Sequence, residues 1–168
     1  MRNISEIKEL GLFLKDFNGE SDRGAVLIAA SLIDQRLMEI LEGYLIENKQ
    51  SSDLFSQPNA PLGTLSAKAA MAYSLGLIQK NEFEEISLIR KIRNDFGHKW
   101  KDINFKNPKI VSYCNKLPWL GPPGKPVTPR RRFNVLIAIL LADLLWRARL
   151  VKKERRTHRV WANKLRTT

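Results

Sequence analysis

Apolar positions recur along this chain with the period of a helix. Ile4, Ile7, Leu10, Leu14 and Phe17 mark a first amphipathic helix, which Asn18-Gly19 stops. Ser21-Asp22 then caps a longer one with a wide apolar face: Ala25, Ile28, Ala29, Leu32, Ile33, Leu37, Ile40, Leu41, Tyr44 and Leu45. Ser51 to Pro61 reads as a polar connection with one helical turn around Leu54-Phe55. A third helix, capped by Thr64 or Ser66, uses Leu65, Ala69, Ala72, Tyr73 and Leu75, and Gly76 ends it. The fourth begins near Gln79 and buries Phe83, Ile86, Ile89, Ile92 and Phe96, fraying at Gly97.

Asn107-Pro108 opens a short helix over 109–117. The run PWLGPPGKPVTP follows, and its repeated prolines forbid regular helix. Thr128, with Pro129 at the first helical position, starts a last helix that is apolar from Phe133 to Trp146 and basic from Arg147 onward. No long strand-like alternation and no internal repeat interrupt this pattern. The expected fold is all-α, a single bundle of five to six helices with a basic C-terminal helix and tail. The expected organisation is a helical core over 1–117, a linker over 118–128 and a C-terminal helix over 129–168 that packs its apolar start on the core.

Composition narrows the chemistry. One cysteine, Cys114, excludes an intramolecular disulfide and a Cys-rich zinc cluster, and two distant histidines, His98 and His158, argue against a His-based metal site. No metal or other cofactor is expected. The N-terminus lacks an uninterrupted apolar run, and the longest apolar stretch, 135–146, is well short of the roughly 20 residues a membrane span needs. The chain is therefore read as cytoplasmic, with no membrane partner. Charge is distributed unevenly: from Lys125 to Thr168 there are 13 Lys/Arg against Asp143 and Glu154, so +11 of the net +12 lies there. That asymmetry points to a polyanion such as nucleic acid, or to an acidic protein partner. The binding candidates are Arg147, Arg149, Lys152, Lys153, Arg155, Arg156 and Arg159, with Trp161 able to stack on an unpaired base. A solvated basic tail running to Lys164 would look the same in composition.

Polar residues inside apolar faces form a second group. Ser21 and Asp22 suit capping and the helix dipole, and Gly24 in the first turn suggests a close helix–helix contact. Asp34 interrupts a buried stripe, and a buried carboxylate needs a partner, for which Arg90 and Arg93 are the natural candidates. A polar seam of Asp22, Arg23, Asp34, Arg90, Arg93 and Asp95 would then fix helix register. Catalysis is the competing use of the same stretch. Arg93 and His98 are five residues apart, which leaves them about 140° apart around one straight helix. They meet only through a bend at Gly97 or in a symmetric homodimer. His98 could then serve as general base on an RNA 2′-hydroxyl while Arg93 held the phosphate. Otherwise His98 and Lys99 simply close the helix against its negative end.

Three blocks in one order, SDRGAVLIAASLIDQRL, PLGTLSAKAAMAYSLGLI and EISLIRKIRNDFGHKW, resemble the mannitol operon repressor (MtlR-like) family over roughly Ile7 to Asn107. The resemblance implies an all-α regulator classed with transcriptional repressors but lacking a standard DNA-binding motif. RNDFGH is also similar to the Arg-Asn-x3-His motif of the HEPN superfamily of helical, metal-independent ribonucleases and RNA-binding relatives. That likeness implies Arg93, Asn94 and His98 as the site. The linker and basic C-terminus belong to neither resemblance. A non-enzymatic transcriptional regulator or interaction protein is the reading adopted. A HEPN-like ribonuclease or RNA-binding protein, and a cytosolic immunity protein that neutralises a toxin, are the alternatives.

Overall fold

A computed structural model describes residues 4–98, 103–124 and 126–162, with side chains from Gly11 onward. The expected core positions Ile4, Ile7 and Leu10, Lys99, expected to help close the helix, and Lys164 of the expected tail lie outside the described side chains. Among the described residues seven α-helices follow in order: α1 (Ile4–Gly19), α2 (Asp22–Tyr44), α3 (Lys49–Ser56), α4 (Leu65–Ser74), α5 (Lys80–His98), α6 (Pro108–Lys116) and α7 (Pro129–Val151), with a 3-10 turn at Lys152–Glu154. The described residues contain no strand. The count exceeds the expected five to six because α3 is a true helix of two turns. Asn48 caps it by accepting from the Ser51 amide at 2.8 Å, and the Lys49–Asp53 pair at 2.6 Å supports its exposed face.

Local chemistry explains the other helix starts. Ser21, Thr64, Asn107 and Thr128 each accept a first-turn amide through the side chain, and Pro108 and Pro129 occupy first-turn positions that need no amide donor. At the end of α4, Gly76 takes φ +71°, and the Leu77 amide reaches back to the Ala72 carbonyl at 2.8 Å, closing a Schellman turn. No helix of the described residues is long and apolar enough to cross a membrane.

The centre of the bundle is the pair α2 and α7, with α4 and α5 packed on α2 and α6 bridging α5 and α7. Asp22 meets Arg130 at the N-terminal ends, while Gly43 lies against Ala148 and Lys152 at the C-terminal ends, so α2 and α7 run parallel. The close approach expected at Gly24 occurs instead at Gly43, where a Cβ would come within 3.2 Å of the Lys152 stem. Gly24 faces the Glu20 and Ser21 side chains of its own cap. The buried residues form one cluster running from Phe17 to Val151, and the apolar half of α7 is part of it. Ile28, Tyr73 and Leu75, expected in the core, are exposed, whereas Val26 and Lys68 are buried.

Cys114 sits in this core, and burial pushes its thiol up to about 12. Thiol reagents attack the thiolate, so the native protein is expected to resist iodoacetamide at pH 8 and to react readily in denaturant. Rapid stoichiometric labelling of the native chain would contradict this packing. Since unfolding restores an ordinary thiol, raising the pH above the usual cysteine range favours the unfolded chain.

Candidate functional site

Between α2, the start of α4 and the last turns of α5 lies a cleft of about 710 Å³. α2 lines it with Leu27, Ala30, Ser31 and Asp34, α4 and its cap with Gly63 to Ser66, and α5 with Arg90, Arg93 and Asn94. These positions follow from helix geometry. Arg90 and Arg93 are three apart, hence neighbours on one face, and Asn94 is four from Arg90. The face next to them, Ile89, Ile92 and Phe96, is buried and fixes how α5 sits on α2.

Asp34 does not pair with Arg90 or Arg93. Both of its carboxylate oxygens accept from Lys68 Nζ, at 2.8 and 2.7 Å, and the Lys68 side chain is only 6% exposed. Lys68 lies among the alanines of α4, where its stem packs as an apolar group while its ammonium reaches the carboxylate. The two arginines are thereby released from the role expected of them. Among the described residues, Arg93 donates only to the neighbouring Asn94 amide oxygen, at 3.3 Å, and Arg90 makes no hydrogen bond or ion pair.

The rest of the expected seam resolves into separate anchors. Asp22 accepts from the Phe105 amide at 3.0 Å and from Arg130 at 2.9 Å, while Arg23 donates to the Phe96 carbonyl at the far end of α5. Asp95 accepts from Lys109 of α6 at 2.7 Å, and this hydrogen bond raises the Lys109 pKa. His98 is exposed at the end of α5 and does not line the cleft that Arg93 and Asn94 enter. The RNDFGH residues are therefore divided between the cleft and the helix end. Among the described residues, no three His, Cys, Asp or Glu side chains gather as a metal site would require.

The basic C-terminal residues also divide. Arg147, expected at the start of the binding face, instead donates to Glu82 at 3.1 and 3.2 Å and to the Leu77 carbonyl at 2.7 Å. Arg149 stacks over Trp146, and Lys152 and Lys153 are exposed on the 3-10 turn. Beyond it the chain is extended and tied to the end of α2: Arg155 pairs with Glu47 at 3.0 Å, and the Arg156 amide donates to the Tyr44 carbonyl at 2.8 Å. Arg159 lies over the exposed Trp161 ring. Lys68, Glu82, Lys109 and Arg130 are the polar residues that the pattern alone did not single out. Two of them left a trace in the sequence: a lysine inside an alanine-rich face, and a glutamate three residues after a helix start.

The helices that form the cleft fall largely within a match to the family model described as Mannitol repressor (MtlR), which covers residues 32–128, more than half of the chain. This protein belongs to the mannitol repressor family. Mannitol operon repressors from two strains of Escherichia coli are each 29% identical to it over 59 residues, 35% of this chain. The matched stretch spans only 30% of the length of those mannitol operon repressors. The mannitol repressor fold is matched more broadly by a chain of the "X-ray structure of the MtlR-HPr complex from Escherichia coli". There the TM-score is 0.57 at 17% identity, over 85% of this chain and 98% of that one. At such identity the likeness establishes a shared fold.

Proposed function

We propose that this protein is a non-enzymatic regulator of the mannitol repressor family that works by docking a protein partner of the HPr kind. The observation that carries the reading is the extent of the fold match, 98% of a chain that was solved in complex with HPr. A bundle of that shape offers a rigid helical surface to a partner. The uneven charge supports an acidic partner surface, because a basic face accelerates encounter with one. The C-terminal arm, with Lys152, Lys153, Arg159 and Trp161 exposed, is the part of the chain suited to a second, polyanionic contact such as nucleic acid.

Calorimetry of the purified protein with HPr from the same source tests the first part. Saturable binding at micromolar concentration is the expected result, and no heat at about 100 µM would remove the reading. For the arm, mobility shifts with DNA and RNA should weaken in a chain ending after Glu154 and should lose salt dependence there. Equal retention by both lengths would exclude the arm. RNA cleavage abolished by both Arg93→Ala and His98→Ala would replace the regulator with a ribonuclease.

A further inference from the structure

We propose that the cleft between α2, α4 and α5 binds the phosphoryl group of a small, hydroxyl-bearing phosphate monoester, held by Arg90 and Arg93. The inference stands independently of partner docking and begins with a charge balance. Among the described residues Asp34 is the sole acidic side chain lining the cleft, and Lys68 already neutralises it through both carboxylate oxygens. The guanidiniums of Arg90 and Arg93 therefore leave the cleft with two positive charges. Neither has a carboxylate partner among the described residues. Arg90 is half-buried, and polar donors withdrawn from water without an acceptor are costly to keep.

Chemistry selects the ligand. Two guanidiniums at neighbouring helical positions present planar donor forks, which match the several oxygens of a phosphoryl group better than a single ammonium would. A phosphate monoester is a dianion above its second pKa of about 6, equal and opposite to the charge of the two arginines. A carboxylate would compensate only half of it. The cleft volume of about 710 Å³ lies within the range that encloses small molecules. Its remaining walls are mixed: Ser31 and Ser66 offer hydroxyls, and Leu27 offers an apolar side. That lining suits a compact body carrying hydroxyl groups. The N-terminal end of α4 lines the same cleft, and its helix dipole supplements the arginines.

Isothermal titration at low salt with glucose 6-phosphate, inorganic phosphate, gluconate and glucose tests the site on the full chain. Glucose 6-phosphate is expected to bind saturably, inorganic phosphate more weakly, and glucose not at all. Affinity for glucose 6-phosphate should rise between pH 5 and pH 7.5 as the ligand takes its second charge. Arg90→Gln and Arg93→Gln should each weaken it about tenfold or more, the scale of a lost charge-assisted bond. Lys116→Gln, an equal change of net charge at the exposed end of α6 and outside the cleft lining, should leave it unchanged. A rise in melting temperature with glucose 6-phosphate in the native chain, absent from folded Arg93→Gln, separates lost binding from lost structure. Absence of binding by both phosphates at 10 mM overturns the proposal. So does gluconate binding as tightly as glucose 6-phosphate, or Lys116→Gln weakening it as much as the arginine variants. A phosphopeptide that binds where both small phosphates fail would assign the cleft to a protein ligand and likewise overturn it.

Discussion

Phe133→Ala is expected to lower the free energy of unfolding by about 3–5 kcal/mol, the usual cost of removing a fully buried ring and leaving a cavity. Phe133 is 0% exposed on the first turns of α7, and its ring centroid lies 5.2 Å from that of Phe105. Phe105 in turn lies 5.6 Å from Phe96 on α5, so three rings link α7, the segment before α6 and α5. Polar contacts one turn earlier reinforce the same junction: Arg130 bonds Asp22 and the Phe17 and Glu20 carbonyls, and its guanidinium sits over the Phe105 ring. Deleting the ring removes the centre of this junction, and the surrounding helices cannot collapse into the space without breaking those bonds. Urea denaturation followed by circular dichroism should show a lower midpoint with an unchanged slope. Phe133→Leu should lose much less. A loss below about 1 kcal/mol for the alanine variant would mean that α7 is an appendage and not a wall of the core.

That role of α7 was half legible in the sequence. The apolar run from Phe133 to Trp146 predicted a packed helix, and Thr128-Pro129 marked its start; both agree with the structure. Periodicity succeeds there because burial of a helical face depends mainly on the residues of that helix. Pairing depends on two elements at once, and here the sequence was weaker. Asp34 sat in an apolar stripe and so required a partner, for which Arg90 and Arg93 were the natural candidates, and only the docking of α4 on α2 brings Lys68 to it instead. Arg147 looked like the first residue of a basic tail because its charge matched what followed, yet it points back to Glu82 from within the helix. The same ambiguity hid α3, where Asn48, Lys49 and Asp53 were capping and i,i+4 signals too short for an apolar period to reveal. The cleft was visible only as its parts. Arg90, Arg93 and Asn94 were singled out, but the concavity and its charge imbalance arise once Lys68 has taken Asp34.

Glu82→Ala is expected to cost about 2–4 kcal/mol, somewhat less than a fully buried ion pair because Arg147 retains some contact with water. The Glu82 side chain is 7% exposed and that of Arg147 is 24% exposed. The carboxylate has two duties. It accepts the Gln79 amide at 2.6 Å, capping α5 at its first turn, and it receives both terminal nitrogens of Arg147 from α7. Arg147 also donates to the Leu77 carbonyl, so the α4–α5 turn is clasped to α7 at three acceptors. Alanine at 82 leaves a half-buried guanidinium with one acceptor and a helix start without its cap. Glu82→Gln, which keeps an acceptor oxygen but not the charge, should lose roughly half as much. In a double-mutant cycle, Arg147→Ala combined with Glu82→Ala should destabilise less than the sum of the two, with a coupling of about 1–3 kcal/mol. Strict additivity would show that the pair contributes nothing beyond its separate contacts. The exposed Arg155–Glu47 pair provides the contrast, since the Glu47 side chain is 86% exposed and its removal should cost under about 0.5 kcal/mol. Because Glu82 anchors the start of the helix that carries Arg90 and Arg93, its loss should also reduce glucose 6-phosphate binding, an effect that Glu47→Ala should not reproduce.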